Sequence, residues 1–118
     1  AKVVLHGWLF KRGRLRKTWK RRYCVLSVPC EGKLPHPGVE EPCLTYFKED
    51  PNRLPSAAPK GCMPLANFAS AMAQPKPQKP ARFMVAAGGR EMYLQAGTQE
   101  AMEQWVQAFN RVATAEQA

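Results

Sequence analysis

At 118 residues the chain has room for one modest core and not for two domains, and a composition 45% apolar and 23% charged is that of a folded globule, not a disordered segment. Lys and Arg number 18 against nine Asp and Glu, a net charge of +9, and eight of the cations lie between Lys11 and Arg22 with no acid among them. That imbalance points to an anionic partner; nucleic-acid phosphates, acidic lipid head groups and acidic peptides all remain open.

Val3 to Lys11, VVLHGWLFK, is rich in β-branched and aromatic residues and predicts a first strand with Leu5, Leu9 and Lys11 on one face. RGRLRKT, with Gly13 among charged side chains, reads as a hairpin loop, and WKRRYCVLSV resumes as a second strand from Trp19 to Val28. There Lys20, Arg22, Cys24 and Leu26 share one face, with Trp19, Arg21, Tyr23 and Val25 on the other. Two cations thus lie beside core residues. An unpaired interior charge is costly, so this face must open to solvent at the hairpin end.

Residues 29–42, PCEGKLPHPGVEEP, hold four prolines and two glycines and predict a long irregular insertion. CLTYFKE is a third strand, DPNRLPSAAP is turn-rich, and KGCMPL gives a short fourth strand in which Pro64 suggests an edge or a bulge. ANFASAMA fits a strand or a helical turn equally well. After QPKPQKP, the strands RFMVAA and REMYLQA meet at Gly88-Gly89, a pair suited to the positive φ angles of a tight turn. The period then changes: Met102, Trp105, Val106, Phe109 and Val112 recur every three or four residues, an amphipathic helix with Thr98 as its N-cap and Glu100 and Glu103 near its positive end. A mainly β domain over residues 3–113 follows, a seven-stranded antiparallel barrel or sandwich capped by one C-terminal helix, with residues 114–118 a flexible tail.

Cys24, Cys30, Cys43 and Cys62 form no CxxC pair and have no His at zinc spacing, so reduced structural thiols and no metal are expected. Neither a secretory signal nor a run of about twenty apolar residues is present, which predicts a soluble, cytosolic protein.

GWLFKRG, TWKRRYCVL, LTYFKED, KGCMPL, MYLQA and QEAMEQWVQAF occur in the order found in pleckstrin-homology domains, and the resemblance covers nearly the whole chain. Trp105 is similar to the tryptophan of that family's terminal helix. Lys11 ending the first strand, followed after a loop by the Lys-x-Arg of Lys20 and Arg22, resembles the family signature for inositol lipids phosphorylated at the 3-position. Tyr46 and Lys60 agree with the same subgroup. The first two strands most resemble those of the cytohesin, or Arf-exchange-factor, type; the short hairpin at AAGGRE departs from that branch, which carries an extended hairpin with extra head-group contacts.

The resemblance implies a phosphoinositide-binding, membrane-targeting module without catalytic chemistry, directed to the 3,4,5-trisphosphate, the 3,4-bisphosphate or both. It implies a forked contact from Arg22 to the 3-phosphate, a central charge at Lys11, Lys20 nearer the 4-phosphate, and Tyr46 and Lys60 on that same side. Arg12, Arg14, Arg16, Lys17 and Arg21 are each expected to add about 1 kcal/mol of attraction near an anionic bilayer, and Leu15 fits equally a side chain that dips into the interface and an ordinary loop leucine. The expected protein is a cytoplasmic monomer recruited peripherally to the cytoplasmic leaflet, with no cofactor and no nucleic-acid partner.

Two other readings stay open. One is a protein–protein interaction module of the same fold with only non-specific attraction to acidic lipid. The other is a nucleic-acid binder with Trp19 and Tyr23 as stacking platforms, which leaves Lys20 and Arg22 beside core residues unexplained. Catalysis has the least support, because His6 and His36 lack partnered acids and no nucleophile–base pattern or phosphate-cradling glycine loop is apparent.

Overall fold

The computed structural model of the chain describes residues 2–13, 15–16, 18–28, 42–65, 68–74 and 79–117. Seven strands, β1 (Lys2–Arg12), β2 (Trp19–Val28), β3 (Cys43–Phe47), β4 (Pro59–Pro64), β5 (Phe68–Ala73), β6 (Arg82–Ala87) and β7 (Arg90–Gln95), precede one helix, α1 (Gln99–Gln117). The strands form one antiparallel sheet in the order β4-β3-β2-β1-β7-β6-β5, the expected architecture of seven strands and a terminal helix.

The corner of this sheet positions the site. β1 pairs with β2 from Lys2 opposite Val28 to Arg12 opposite Trp19, but meets β7 only at Phe10 opposite Gln95 and Lys11 opposite Leu94. The two halves of the sheet are therefore stitched together at the hairpin end of β1, next to Lys11. Below that stitch the inward residues Leu9, Cys24, Leu26, Leu44, Phe83, Val85 and Leu94 are buried. Onto this layer α1 lays Met102, Trp105, Phe109 and Val112, all buried, at the spacing of one helix face. Phe109 packs between Phe83, ring centroids 6.5 Å apart, and Trp105, 6.1 Å apart.

Local chemistry sets the element ends. The Thr98 hydroxyl accepts from the Ala101 N–H at 3.0 Å and so caps α1. Gly88 and Gly89 take φ of 58° and 76°, a backbone open to glycine at little cost and matched to the twist of a two-residue hairpin. Between β3 and β4 the Asp50 carboxylate accepts from the Asn52 N–H at 2.8 Å, fixing the turn that the sequence predicts. Pro64 ends β4 on the sheet edge, where a missing N–H is harmless.

Some expectations resolve differently from others. ANFASAMA, which fitted strand or helix, is a strand over Phe68–Ala73 with a register irregularity between Phe68 and Ser70. The helix continues through Gln117, into the segment expected as a tail. Of the proline-rich insertion only Pro42 lies within the described residues. Cys24, Cys43 and Cys62 are free thiols; Cys30 lies outside the described residues. Among the described residues no helix is long and apolar enough to cross a membrane.

Candidate functional site

Burial along the inward face of β2 changes step by step: Lys20 is exposed, Arg22 half-buried, Cys24 and Leu26 fully enclosed. On β1, Lys11 stands opposite Lys20 and Leu9 opposite Arg22, so the two strands place three cations on the last rungs of one ladder, just beyond the core. The face opens where its apolar residues stop, as the cost of burying unpaired charge demands. The opening is a groove of about 340 Å³ lined by Lys11, Gly13, Leu15, Arg16, Thr18, Lys20, Arg22, Tyr46 and Arg90. Five of these side chains are cationic and none is acidic.

Tyr46 of β3 and Arg90 of β7 form the far wall. The Lys11 ammonium lies 4.7 Å from the centroid of the Tyr46 ring. Arg90 donates to the Tyr46 hydroxyl at 3.4 Å and to the Cys62 carbonyl at 3.5 Å, while its buried Nε has no hydrogen-bond partner among the described residues. Gly61 sits opposite Tyr46, and a Cβ there would overlap the Tyr46 hydroxyl. Glycine at 61 is thus what lets the tyrosine lie across the wall.

The charges are held close enough to feel one another. Burial lowers the Lys11 pKa below the ordinary lysine value; Tyr46 opposes that shift, while Arg90 and Arg22 add to it. Burial likewise pushes the Cys24 thiol up to about 12 although Lys11 and Arg22 pull it down, so this cysteine is a packed core group and not a nucleophile. An arriving polyanion would relieve the repulsion among Lys11, Arg22 and Arg90, and the strands hold their donors in place before it binds.

Of the residues singled out in the sequence, Lys11, Lys20, Arg22 and Tyr46 converge on the groove, joined by Arg16 and by Leu15, which is 98% exposed at the loop. Lys60 does not. It is the extra residue of a bulge, between Pro59 opposite Phe47 and Gly61 opposite Tyr46, and it is exposed outside the groove lining. Arg12 and Arg21 lie on the other face of the hairpin, stacked on Tyr93 at 5.2 Å and on Trp8 at 3.9 Å. Arg14 and Lys17 lie outside the described residues. Arg90 is the groove cation that sequence reasoning missed. Its signal was parity: it opens β7 in step with the buried Met92 and Leu94, so it too points inward.

The proposed stacking platforms fare poorly. Tyr23 is buried, its ring roughly perpendicular to that of Trp8 with centroids 5.2 Å apart and its hydroxyl hydrogen-bonded to His6 Nδ1. Trp19 is half-buried, with the Arg82 guanidinium 4.4 Å from its ring. Among the described residues no three His, Cys, Asp or Glu side chains cluster as metal ligands.

Comparison with known proteins gives a consistent picture. The family model described as "PH domain" matches residues 3–114. Among curated relatives, pleckstrin homology domain-containing family A member 7 from Danio rerio is 31% identical over 115 residues, covering 94% of this chain and 8% of that protein. Pleckstrin homology domain-containing protein 1 from Arabidopsis thaliana is 27% identical over 107 residues, covering 89% of this chain and 65% of its own. The chain therefore spans less than two thirds of either relative. Among solved structures, the C-terminal PH domain of pleckstrin in complex with D-myo-Ins(1,2,3,4,5)P5 superposes with a TM-score of 0.69 at 21% identity, covering 94% of this chain and 98% of that one. The Slm1-PH domain in complex with inositol-4-phosphate superposes with a TM-score of 0.72 at 16% identity, covering 96% and 97%. At these identities the structural likeness establishes the fold.

Proposed function

The chain belongs to the PH domain family, a family of non-catalytic binding modules, and on that premise we propose that its basic groove binds the phosphorylated head groups of inositol lipids and holds the protein that carries it at a membrane surface. The observation that carries this reading is a groove whose described lining holds five cations and no acid, built on strands and opening where the core ends. Relatives of the same fold support it: the pleckstrin domain was crystallised with inositol pentakisphosphates and the Slm1 domain with inositol-4-phosphate and with phosphoserine.

Within the groove, Lys11, Lys20 and Arg22 are the principal anchors. Their similarity to the 3-phosphoinositide signature, and that of the first two strands to the cytohesin type, favour the 3,4,5-trisphosphate and 3,4-bisphosphate as ligands. Arg22 supplies a planar fork for the 3-phosphate, Lys11 a central ammonium shared between phosphates, and Lys20 a charge on the 4-phosphate side. Tyr46 offers its hydroxyl there, and Arg90 takes the place reserved for Lys60. Arg12, Arg14, Arg16, Lys17 and Arg21 add non-specific attraction, and Leu15 meets the interface first. The domain acts as a monomer on the cytoplasmic leaflet and requires no cofactor.

Co-sedimentation with four matched vesicle sets tests this, one each containing plain acidic lipid, the 4,5-bisphosphate, the 3,4-bisphosphate and the 3,4,5-trisphosphate. The two 3-phosphorylated lipids should retain most protein; equal retention on all four would reject a stereospecific groove. Gly61→Ala should displace Tyr46, loosen Lys11 and Arg90, and weaken head-group binding by about 2- to 10-fold, the worth of one ordinary hydrogen bond. An unchanged affinity in the vesicle titration would show that the Tyr46 wall is not used.

A further inference from the structure

The register brings four side chains into one row across the outer face of the sheet, on the side opposite the groove. Arg21 of β2 is opposite Phe10 of β1, Phe10 is opposite Gln95 of β7, and Gln95 is opposite Arg82 of β6. Phe10 is 42% exposed, unusual for a phenylalanine in a paired interior strand. Each arginine lies on an aromatic ring, Arg21 on Trp8 at 3.9 Å and Arg82 on Trp19 at 4.4 Å, and Arg82 also donates from Nε to the Gln95 side chain at 3.0 Å. Among the described residues no carboxylate is paired with either arginine, and Glu91, on the same face of β7, accepts from the Tyr93 hydroxyl at 2.5 Å.

A guanidinium stacked on a ring keeps its edge N–H groups free and loses little freedom on meeting a carboxylate. Stacked arginines around an exposed aromatic have the composition of an interface centre. The dimensions suggest the partner. Three strand spacings, about 14 Å, separate the backbone positions of Arg21 and Arg82. An extended peptide covers that distance in about four residues, and its residues i, i+2 and i+4 face the same way. Carboxylates at i and i+4 would meet the two arginines while an apolar side chain at i+2 lies over Phe10 and Gln95.

A bilayer is the poorer fit. With the groove facing the membrane, the row stands about 7 Å back from the last strand pair, Arg12 opposite Trp19, and further still behind the loop that carries Leu15. It also runs sideways across four strands on the wall away from the groove. We propose that this outer row is a docking surface for an extended acidic segment of a partner protein, with alternating acidic and apolar residues, independent of the lipid groove.

The probe is a fluorescein-labelled peptide centred on Glu-Ser-Leu-Ser-Glu, with a Gln-Ser-Leu-Ser-Gln counterpart, titrated with the domain by anisotropy at physiological ionic strength. The acidic peptide should bind at least about 10-fold more tightly than its glutamine counterpart, since each carboxylate makes a charge-assisted pair. Phe10→Ser and Arg82→Gln should each weaken it by about 5-fold or more and leave sedimentation on 3,4,5-trisphosphate vesicles within about twofold of wild type. Amide shifts induced by the peptide in a nitrogen-labelled sample should centre on Phe10, Arg82 and Gln95 and confirm that the variants remain folded. Equal binding of the two peptides would overturn the proposal. So would loss of peptide binding in Lys11→Ala but not in Arg82→Gln, which would move the peptide into the groove, or loss of vesicle binding in Phe10→Ser and Arg82→Gln, which would make the face a bilayer contact.

Discussion

Lys11→Ala should weaken binding to 3,4,5-trisphosphate vesicles by about 10- to 150-fold, the equivalent of one charge-assisted contact of about 1.5–3 kcal/mol, whereas Arg12→Ala should cost only about 5-fold, the attraction of one surface cation. The two residues are neighbours with the same formal charge, so composition cannot distinguish them. Strand parity does: Lys11 points into the groove beside Tyr46, and Arg12 points outward onto Tyr93. Raising the salt should largely erase the Arg12 effect while preserving much of the Lys11 effect, because screening acts most strongly on exposed, distant charges. Equal losses from both substitutions, with equal salt dependence, would mean that vesicles see only net charge.

Phe109→Ala should destabilise the domain by about 3–5 kcal/mol, the cost of an aromatic cavity in a closed core. A domain of this size is stable by about 5–15 kcal/mol in total, so the loss is a large fraction of what is available. Phe109 is fully buried and joins the helix to the sheet through Phe83 and to its own helix face through Trp105. A urea titration should show the midpoint falling with little change in slope. A loss below about 1 kcal/mol would mean that this helix face is not closed against the sheet.

Much of this was legible in the chain before any coordinates. The period-two pattern of WKRRYCVLSV put Lys20 and Arg22 on the same face as Cys24 and Leu26, and the cost of burying charge alone required that face to open. Gly88-Gly89 and Thr98 carried their local geometry in their chemistry. What stayed hidden was non-local. The sequence places Lys60 beside the site, but a bulge next to Gly61 takes it out of step, and bulges are set by pairing partners rather than by the strand itself. Arg90 is 68 positions from Arg22, and only the β1–β7 stitch at Lys11 brings its strand to the groove. ANFASAMA was undecided because small residues carry no strong period; pairing with β6 decided it. The burial of Tyr23 on the outer face depends on Trp8 and His6 from the neighbouring strand, which a single-strand pattern does not register.

The central claim is that the groove reads a phosphorylated inositol ring through fixed donors rather than through bulk charge. Calorimetric titration with soluble inositol 1,3,4,5-tetrakisphosphate removes the bilayer, the loop attraction and Leu15 from the question. Wild-type protein should bind one equivalent, far more tightly than it binds inorganic phosphate, and Arg22→Ala should lose about 10- to 150-fold in affinity while its melting temperature stays near that of wild type. Affinity that is the same in Arg22→Ala as in wild type, or no greater than for inorganic phosphate, would contradict it.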